Sequence, residues 1–315
     1  MAAPDLPRER LICILGPTGV GKTEFALKLA EQFRGEIVSA DSMQVYRQMD
    51  IGTAKPTPQE RGRITHHLLD VADPDQPFDA SRYMDMATKA ITCLHQAGKQ
   101  PFVVGGTGLY VRALLGGLID GPPADEALRK KLKAEIREKG KGHLYETLEK
   151  RDPRAAAAIH PHDGVRIIRA LEVLELTGRS IVAHQQEHLF QNSPWDALRI
   201  GLRVEREELN SRIDRRADRM MEDGFLKEVE GLLSRGYDES LKPMQSLGYR
   251  HLTAVIRGNM KKEEAVALIK RDTRMYAKRQ MTWFSADRDI IWLDPGDLEE
   301  ALKLAAFFLR QKRIM

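Results

Sequence analysis

The sequence predicts an α/β fold in which a parallel-sheet core is interrupted by an all-helical insertion. An apolar strand runs directly into a glycine-rich loop and a helix, and two further apolar strands follow, separated by a helical segment. Residues 125–178 then carry helical patterns with no strand signal. We therefore assign residues 1–119 and 199–315 to the core and residues 120–198 to the insertion.

The first strand, residues 11–15, is a continuous apolar run of the kind that is buried in a parallel sheet. The loop and helix start that follow it are Gly16, Pro17, Thr18, Gly19, Val20, Gly21, Lys22 and Thr23. In this spacing, backbone N–H groups and the helix N-terminus surround a diphosphate, the lysine adds a positive charge, and the threonine hydroxyl ligates Mg²⁺. The core is thus predicted to be P-loop NTPase-like, with these eight residues binding phosphate and Thr23 binding the metal.

Two polar side chains follow the next strands of the predicted sheet. Residues 36–40 lead to Asp41, and residues 101–104 lead through a glycine turn to Thr107. Because ligands bind at the carboxyl ends of parallel strands, we expect both residues on the edge that carries the glycine-rich loop. We place the strand of Asp41 next to the first strand. Capping of a helix or turn is the structural alternative for Asp41.

Two later helical segments are rich in basic residues. Residues 209–221 place four arginines on one helical face, and residues 270–284 repeat a basic residue at every fourth position. Such faces suit contacts with phosphate or with an RNA backbone. The alternative is a solvated face whose cations pair with neighbouring aspartates. Strand-like segments at 198–204 and 289–293 complete the core.

Composition and charge exclude several classes of protein. Hydrophobic residues make up 42% and charged residues 30% of the 315 positions, which is ordinary for a globular protein and too apolar for a disordered chain. No apolar run approaches the ~20 residues of a membrane span, and the N-terminus lacks the apolar segment of a secretory signal. Two cysteines build neither a disulfide framework nor a cysteine zinc site. We expect a cytoplasmic monomer without a membrane partner.

Eight short segments, taken in chain order, resemble the bacterial tRNA dimethylallyltransferases, also called tRNA isopentenyltransferases. The segments are residues 16–23, 41–46, 52–56, 66–70, 105–110, 169–173, 248–250 and 276–284. The glycine-rich loop alone occurs in many families, whereas the ordered set is specific. The resemblance implies that the chain transfers a dimethylallyl group from dimethylallyl diphosphate to N6 of the adenosine immediately 3′ of the anticodon in tRNA, releasing diphosphate.

The same resemblance implies roles for individual residues. Asp41 is the general base that takes the N6 proton, Thr107 lies beside the reacting atoms, Arg216 clamps the diphosphate, and Mg²⁺ is the cofactor. The partner is the tRNA anticodon stem-loop, which the helical insertion contacts. The implied tRNA contacts are Asp41, Ser42, Met43, Gln44, Arg129, Val165, Arg166, Ile167, Ile168 and Arg169. Val165 departs from the family, many of whose members have glutamine there.

Two other functions fit parts of the sequence. A P-loop small-molecule kinase uses the same loop, takes Asp41 as the base for a hydroxyl and uses the insertion as a lid. A non-catalytic RNA-binding nucleotide switch normally carries a carboxylate after the third apolar strand, where this chain has Gly105, Gly106 and Thr107. ATP hydrolysis measured beside prenyl transfer separates the three hypotheses.

Overall fold

A six-stranded parallel sheet forms the centre of the unit that comprises Met1–Leu115 and Ser193–Met315. This computed structural model describes residues 9–118, 121–188 and 193–311. The strands are β1 (Glu9–Leu15), β2 (Gly35–Ser39), β3 (His66–His67), β4 (Gln100–Gly105), β5 (Trp195–Leu202) and β6 (Ile290–Leu293). They lie in the order β3-β2-β4-β1-β5-β6, and neighbouring strands are parallel. The predicted parallel α/β core is confirmed.

The central position of β1 explains its apolar sequence. The strand lies between β4 and β5, and Leu15 pairs with Gly105 on one side and Gly201 on the other. Ile12 and Ile14 face one hydrophobic core, whereas the alternate residues of the strand face a second core. Because both faces of the sheet are covered, residues 11–15 of β1 are all apolar instead of alternating with polar residues.

The helices follow the strands in the order expected for an α/β fold with an insertion. The described residues form α1 (Lys22–Gln32), α2 (Pro58–Arg63), α3 (Ala80–Gln96), α4 (Gly108–Gly116), α5 (Glu126–Lys139), α6 (Lys141–Arg151), α7 (Pro153–Ala158), α8 (Gly164–Thr177), α9 (Ile181–His188), α10 (Arg206–Glu222), α11 (Phe225–Ser234), α12 (Tyr249–Ile256), α13 (Lys262–Ser285) and α14 (Leu298–Arg310). Both predicted basic segments, at residues 209–221 and 270–284, are helical, in α10 and α13.

Three features of the sheet differ from the sequence prediction. β4 lies between β1 and β2, so the strand that leads to Asp41 is not next to β1. The edge strand β3 has no sequence signal, because two residues paired on one side carry no hydrophobic periodicity. β5 begins at Trp195 rather than at residue 198, because the exposed Asp196 interrupts its apolar pattern.

The second unit, Gly116–Asn192, contains helices α5 to α9 and, within residues 121–188, no strand. Its own hydrophobic core includes Leu132, Leu148 and Leu171. The boundary predicted between residues 119 and 120 lies outside the described residues, and the one predicted at 198 falls inside β5. Across the described part of the chain, no helix combines the length and apolarity that a membrane crossing requires.

Candidate active site

The glycine-rich loop joins β1 to α1 and curls around the start of the helix. Gly16 has a φ of +141°, and a Cβ atom there would lie 2.7 Å from the carbonyl oxygen of Leu202, so the position requires glycine. The Lys22 ammonium donates to the carbonyl oxygen of Pro17 at 2.7 Å. Lys22 and Thr23, the first two residues of α1, line the same cavity. The loop residues Thr18, Gly19 and Gly21, a cation and a hydroxyl-bearing residue therefore line one space at the start of a helix.

This space, named the polar cavity, has a volume of about 330 Å³. Its lining includes Lys22, Thr23, Asp41, His66, Arg212 and Arg216. Burial lowers the pKa of Lys22 to about 7, although the Asp41 carboxylate opposes this shift, while Arg216 adds to it. Burial also lowers the pKa of the Arg216 guanidinium, again against the attraction of Asp41. The cavity thus holds partly desolvated cations, which an anionic ligand would stabilise.

A second space, named the apolar cavity, has a volume of about 570 Å³. Its walls include Met43, Ile213, Met220, Phe225, Tyr249 and Met275. The residues that line both cavities are Thr18, Asp41, Thr53, Arg216 and Tyr276. The two cavities therefore meet at a junction where the glycine-rich loop, the segment after β2 and helices α10 and α13 come together.

Asp41 and Thr107 lie at the ends of the neighbouring strands β2 and β4, as predicted. The Asp41 Oδ1 atom accepts hydrogen bonds from the backbone N–H groups of Met43 at 2.8 Å and Gln44 at 3.2 Å. Its Oδ2 atom accepts none from the described residues. The Thr107 hydroxyl accepts from the Ser42 N–H at 3.0 Å and donates to the Ser42 hydroxyl at 3.3 Å. Asp41 thus caps a turn with one oxygen and leaves the other available.

Gln280 on α13 connects the glycine-rich loop with the turn after β4. The Thr18 N–H donates to Gln280 Oε1 at 2.9 Å, and Gln280 Nε2 donates to the carbonyl oxygen of Gly106 at 2.8 Å. A Cβ atom on Gly106 would lie 2.3 Å from Gln280 Nε2, and one on Gly108 would lie 2.2 Å from the Trp283 ring. The glycines of this turn therefore allow α13 to approach the sheet closely.

Tyr276 lies one turn before Gln280 on α13, and both residues contact the site although the sequence prediction gave neither a role. Tyr276 lines both cavities together with Asp41, and Gln280 lines the polar cavity. Burial, followed by the Asp41 carboxylate, raises the pKa of Tyr276 to about 12, so it is a neutral O–H group at pH 7. Tyr276 and Gln280 lie one helical turn apart, among the residues that pack α13 against the core. This spacing is the sequence signal that could have suggested a role for both.

The structure separates the four arginines of the α10 face. Arg212 donates to the carbonyl oxygen of Val20 at 3.0 Å and pairs with Glu208. Arg216 lines both cavities and, among the described residues, has no ion-pair partner within 4.0 Å. Arg215 bonds the hydroxyl of Ser211, and like Arg219 it lines neither cavity.

The basic residues of α13 are largely paired with α10. Lys270 lies 2.6 Å from a carboxylate oxygen of Asp218, and Arg274 lies 2.6 Å from one of Asp214. Lys278 is exposed. The structural alternative considered for this helix, pairing with aspartates, therefore describes two of these three cations.

Comparison with known proteins identifies the family that uses such a site. The sequence model of the IPP transferase family matches residues 44–287. A tRNA dimethylallyltransferase 2 from Syntrophus aciditrophicus is 55% identical over 306 residues, covering 97% of this chain and 98% of that protein. The chain belongs to the tRNA dimethylallyltransferase family. A tRNA dimethylallyltransferase from Desulfosudis oleivorans is 52% identical and covers 96% of this chain and 97% of its own length.

Solved structures of tRNA dimethylallyltransferases have the same fold. The full-length tRNA isopentenylpyrophosphate transferase from Bacillus halodurans is 41% identical with a TM-score of 0.73, covering 97% of this chain and 98% of that one. A eukaryotic dimethylallyltransferase, described as acting on tRNA, is 31% identical with a TM-score of 0.79 and covers 97% of this chain and 82% of that one. Membership of this family favours prenyl transfer over the kinase and switch hypotheses.

The tRNA contacts that the family resemblance implies in α8 differ in their exposure. Val165 is 80% exposed, and the Arg166 side chain is 64% exposed with Asp163 at 3.4 Å. Ile167 and Ile168 instead lie in the hydrophobic core of the insertion unit. Their side chains are buried because α8 packs this face against neighbouring helices, so Val165 and Arg166 are the members of the segment whose side chains are most exposed.

Arg129 and Arg169, also implied as tRNA contacts, are both bound to the fully buried Glu172. Arg129 places Nε and Nη2 at 2.8 Å and 2.9 Å from the two carboxylate oxygens, and Arg169 Nη1 lies 2.5 Å from Oε2. The Asp125 N–H donates to Oε1 at 2.8 Å. Burial opposes ionisation, but these donors outweigh it and lower the pKa of Glu172. Much of the charge of the two arginines is therefore neutralised within the insertion.

The remaining implied tRNA contacts, residues 42–44, lie at the cavities. Ser42 and Met43 line the apolar cavity. The Gln44 side chain donates to the carbonyl oxygens of Thr53 at 3.2 Å and Ala54 at 3.1 Å, and so connects the segment that follows β2 with residues 53 and 54.

Across the described residues, no cluster of three or more histidine, cysteine or acidic side chains forms a preassembled metal site.

Proposed function

We propose that this chain is a tRNA dimethylallyltransferase that transfers a dimethylallyl group from dimethylallyl diphosphate to N6 of the adenosine 3′ of the anticodon. One observation carries the proposal: a polar cavity rich in phosphate-binding groups and an apolar cavity meet at Asp41, Arg216 and Tyr276. A diphosphate, an allylic carbon and an acceptor amine can therefore meet at one junction. Family membership supports this reaction.

The polar cavity suits the diphosphate group of the donor. Thr18, Gly19 and Gly21 of the loop, the Lys22 ammonium and Arg216 line this cavity before any ligand binds. As the bond between C1 and the bridging oxygen breaks, the electron pair leaves with the diphosphate. Fixed positive groups stabilise this developing charge without the reorganisation that water requires.

The donor groups of the polar cavity fit Mg²⁺ bound together with a diphosphate. Mg²⁺ keeps several waters and takes one or two protein oxygens beside substrate phosphates, so a preassembled cluster of ligands is unnecessary. The Thr23 hydroxyl would hold the ion, with the Asp41 carboxylate on the same cavity. When bound, Mg²⁺ neutralises charge on the departing diphosphate.

Asp41 supplies the base for the acceptor. The N6 lone pair of adenine is delocalised into the ring, so removing its proton as the bond to C1 forms assists the attack. The Oδ2 atom is available for that proton, while the bonds from Met43 and Gln44 to Oδ1 hold the carboxylate in place. Thr107 accepts a hydrogen bond from the neighbouring Ser42 N–H, and Tyr276 lines both cavities together with Asp41.

The acceptor adenosine must leave its base stack to reach the junction. We propose that the apolar cavity admits it, that residues 42–44 contact it, and that exposed residues of the insertion such as Arg166 bind the anticodon stem-loop. We propose a monomer as the active form. A tRNA substrate supports action in the cytoplasm.

The decisive experiment incubates the full chain with labelled dimethylallyl diphosphate and an unmodified anticodon stem-loop, with and without Mg²⁺. The expected result is Mg²⁺-dependent label on the adenosine 3′ of the anticodon and none on a stem-loop with guanosine there. ATP hydrolysis is measured in parallel. If the RNA acquires no label while ATP is hydrolysed, prenyl transfer is rejected in favour of the kinase or the switch hypothesis.

A further inference from the structure

Glu228 on α11 receives four hydrogen bonds from groups at the edge of the apolar cavity. The backbone N–H groups of Asp50 and Ile51 donate to Oε2 at 2.9 Å and 2.7 Å, and that of Gly52 donates to Oε1 at 3.1 Å. The Tyr249 hydroxyl donates to Oε1 at 2.7 Å. Three successive backbone N–H groups that point at one anion form an anion-binding concavity, and here a side chain of the same protein fills it.

The contact is close as well as charged. A Cβ atom on Gly52 would lie 2.1 Å from the Phe225 ring and 2.7 Å from the Tyr249 ring. Phe225 begins α11 and Tyr249 begins α12, and both are buried. The segment around Gly52 is thus pressed against these two helices with no room for a side chain, and its distance from them is fixed.

This segment is connected to the catalytic carboxylate by a short series of hydrogen bonds. Gly52 and Thr53 line the apolar cavity. The Gln44 side chain donates to the carbonyl oxygens of Thr53 and Ala54, and the Gln44 backbone N–H donates to Asp41 Oδ1. A displacement of the Gly52 segment away from α11 would therefore reach Asp41 through a single intermediate residue.

A second anchor keeps the segment folded without Glu228. The buried Lys55 ammonium donates to the Tyr46 carbonyl oxygen at 2.7 Å, to Asp50 at 2.5 Å and to Asp70 at 2.7 Å. These bonds connect Lys55 to three residues that belong to neither α11 nor α12. Glu228 provides its connection to α11 and α12, whose first residues Phe225 and Tyr249 form the adjoining part of the cavity wall.

We propose that Glu228 is a positioning residue that holds the Gly52 segment against α11 and α12 at the wall of the apolar cavity and thereby fixes the location of Asp41. The inference rests on the proposed function, because it assigns the acceptor side of the reaction to this cavity. Glu228 and its bonding partners do not touch the polar cavity's phosphate-binding loop. Its loss should therefore affect the acceptor RNA and the chemical step, but leave donor binding unchanged.

The test compares Glu228→Gln with Glu230→Gln, which removes an exposed carboxylate from the same helix. In single-turnover assays at saturating donor, we expect Glu228→Gln to slow transfer on the order of 10-fold to 100-fold, because small misplacements of reacting groups have effects of this size. The KM for the stem-loop should rise, the Kd for dimethylallyl diphosphate should change less than about twofold, and Glu230→Gln should match the unmodified chain.

Tyr249→Phe provides a second variant that keeps the carboxylate and removes one of its four donors. We expect a smaller slowing, with the order unmodified chain, Tyr249→Phe, Glu228→Gln. Hydrogen exchange of the Asp50, Ile51 and Gly52 amides should accelerate in Glu228→Gln, a readout that is independent of any activity.

A lower Tm with unchanged transfer per folded molecule would overturn the inference, since the contact would then only stabilise the fold. So would unchanged exchange at the three amides. Absence of prenyl transfer in the unmodified chain would instead overturn the proposed function, and the exchange result would still decide whether Glu228 holds the segment.

Discussion

Arg216 and Arg129 are two helical arginines that differ in how they are paired within the protein. Arg216 lines both cavities and, within the described residues, has no ion-pair partner within 4.0 Å. Arg129 binds Glu172 through two nearly equal bonds of 2.8 Å and 2.9 Å. A ligand anion that binds Arg216 meets a guanidinium without an ion-pair partner among the described residues. One that binds Arg129 must compete with the buried Glu172 carboxylate. The pairing of a cation within the protein therefore decides its use more than its position on a basic helical face.

The largest expected effect tests the charge at the polar cavity. Lys22→Ala should reduce kcat/KM for dimethylallyl diphosphate on the order of 10²-fold to 10³-fold, because a preorganised donor to the departing diphosphate is lost. Binding of the stem-loop should stay within about twofold. Lys28→Ala, which removes an exposed lysine of the same helix that pairs with Glu24, is the control. Loss of RNA binding with normal donor affinity would contradict the assignment.

The next effect tests the carboxylate that faces these cations. Asp41→Asn retains the oxygen that caps the turn but cannot take the N6 proton, so single-turnover transfer should slow by about 10²-fold with donor affinity nearly unchanged. A thermal melt of the same variant supplies the control for folding. If Asp41 serves only the turn, the variant would instead melt earlier and react at the normal rate.

The sequence predicts the glycine-rich loop well because its geometry is local. Gly16 and Lys22 are a few residues apart, and their conformations follow from the residue types themselves. Gln280 and Glu228 could not be given roles, because they contact Thr18 and Gly52 across 262 and 176 residues of sequence.

The same argument applies to the misplaced strand. Which strand lies beside β1 depends on how the chain crosses the sheet, and nothing in the apolar pattern of β2 or β4 records that choice. The burial of Ile167 and Ile168 could have been predicted from the sequence, because they share a helical face with Leu171, which also packs in the insertion core.

A matched pair of variants tests the comparison of arginines directly. Arg216→Ala should lower kcat/KM for dimethylallyl diphosphate by about 10-fold to 100-fold with little change in the free energy of unfolding. Arg129→Ala should leave donor use unchanged and lower the free energy of unfolding by about 2 kcal/mol, because a buried carboxylate loses charge-assisted hydrogen bonds. Denaturant titration and steady-state kinetics on both variants provide the measurements. Exchanged phenotypes would show that pairing does not decide the role.

A smaller effect follows from the pKa of Lys22, which burial lowers to about 7. Above that pH the free chain loses the Lys22 proton, whereas a bound diphosphate favours the charged form and restores it. Donor binding at pH 8 should therefore take up a proton, and the Kd should rise by up to about tenfold per pH unit above 7. Calorimetry in two buffers of different ionisation enthalpy measures the uptake. Lys22→Ala should abolish it, and equal uptake in that variant would assign the proton to another group.

The smallest effect concerns RNA, where the same contrast holds within the insertion. The Arg166 side chain is 64% exposed and lies 3.4 Å from Asp163, a surface pair that water and salt weaken. Arg129 forms an ion pair with the buried Glu172. A phosphate contact contributes roughly 0.7 to 0.9 to the slope of log affinity against log salt concentration, because it releases counterions. For the anticodon stem-loop, Arg166→Ala should therefore reduce the magnitude of this slope by the contribution of about one phosphate contact. Arg129→Ala should change the slope little as long as the insertion stays folded. Fluorescence anisotropy at several salt concentrations measures both slopes. A larger loss of slope in Arg129→Ala would mean that the RNA displaces Glu172 from its arginine, and the distinction between a buried ion pair and an exposed one would then fail.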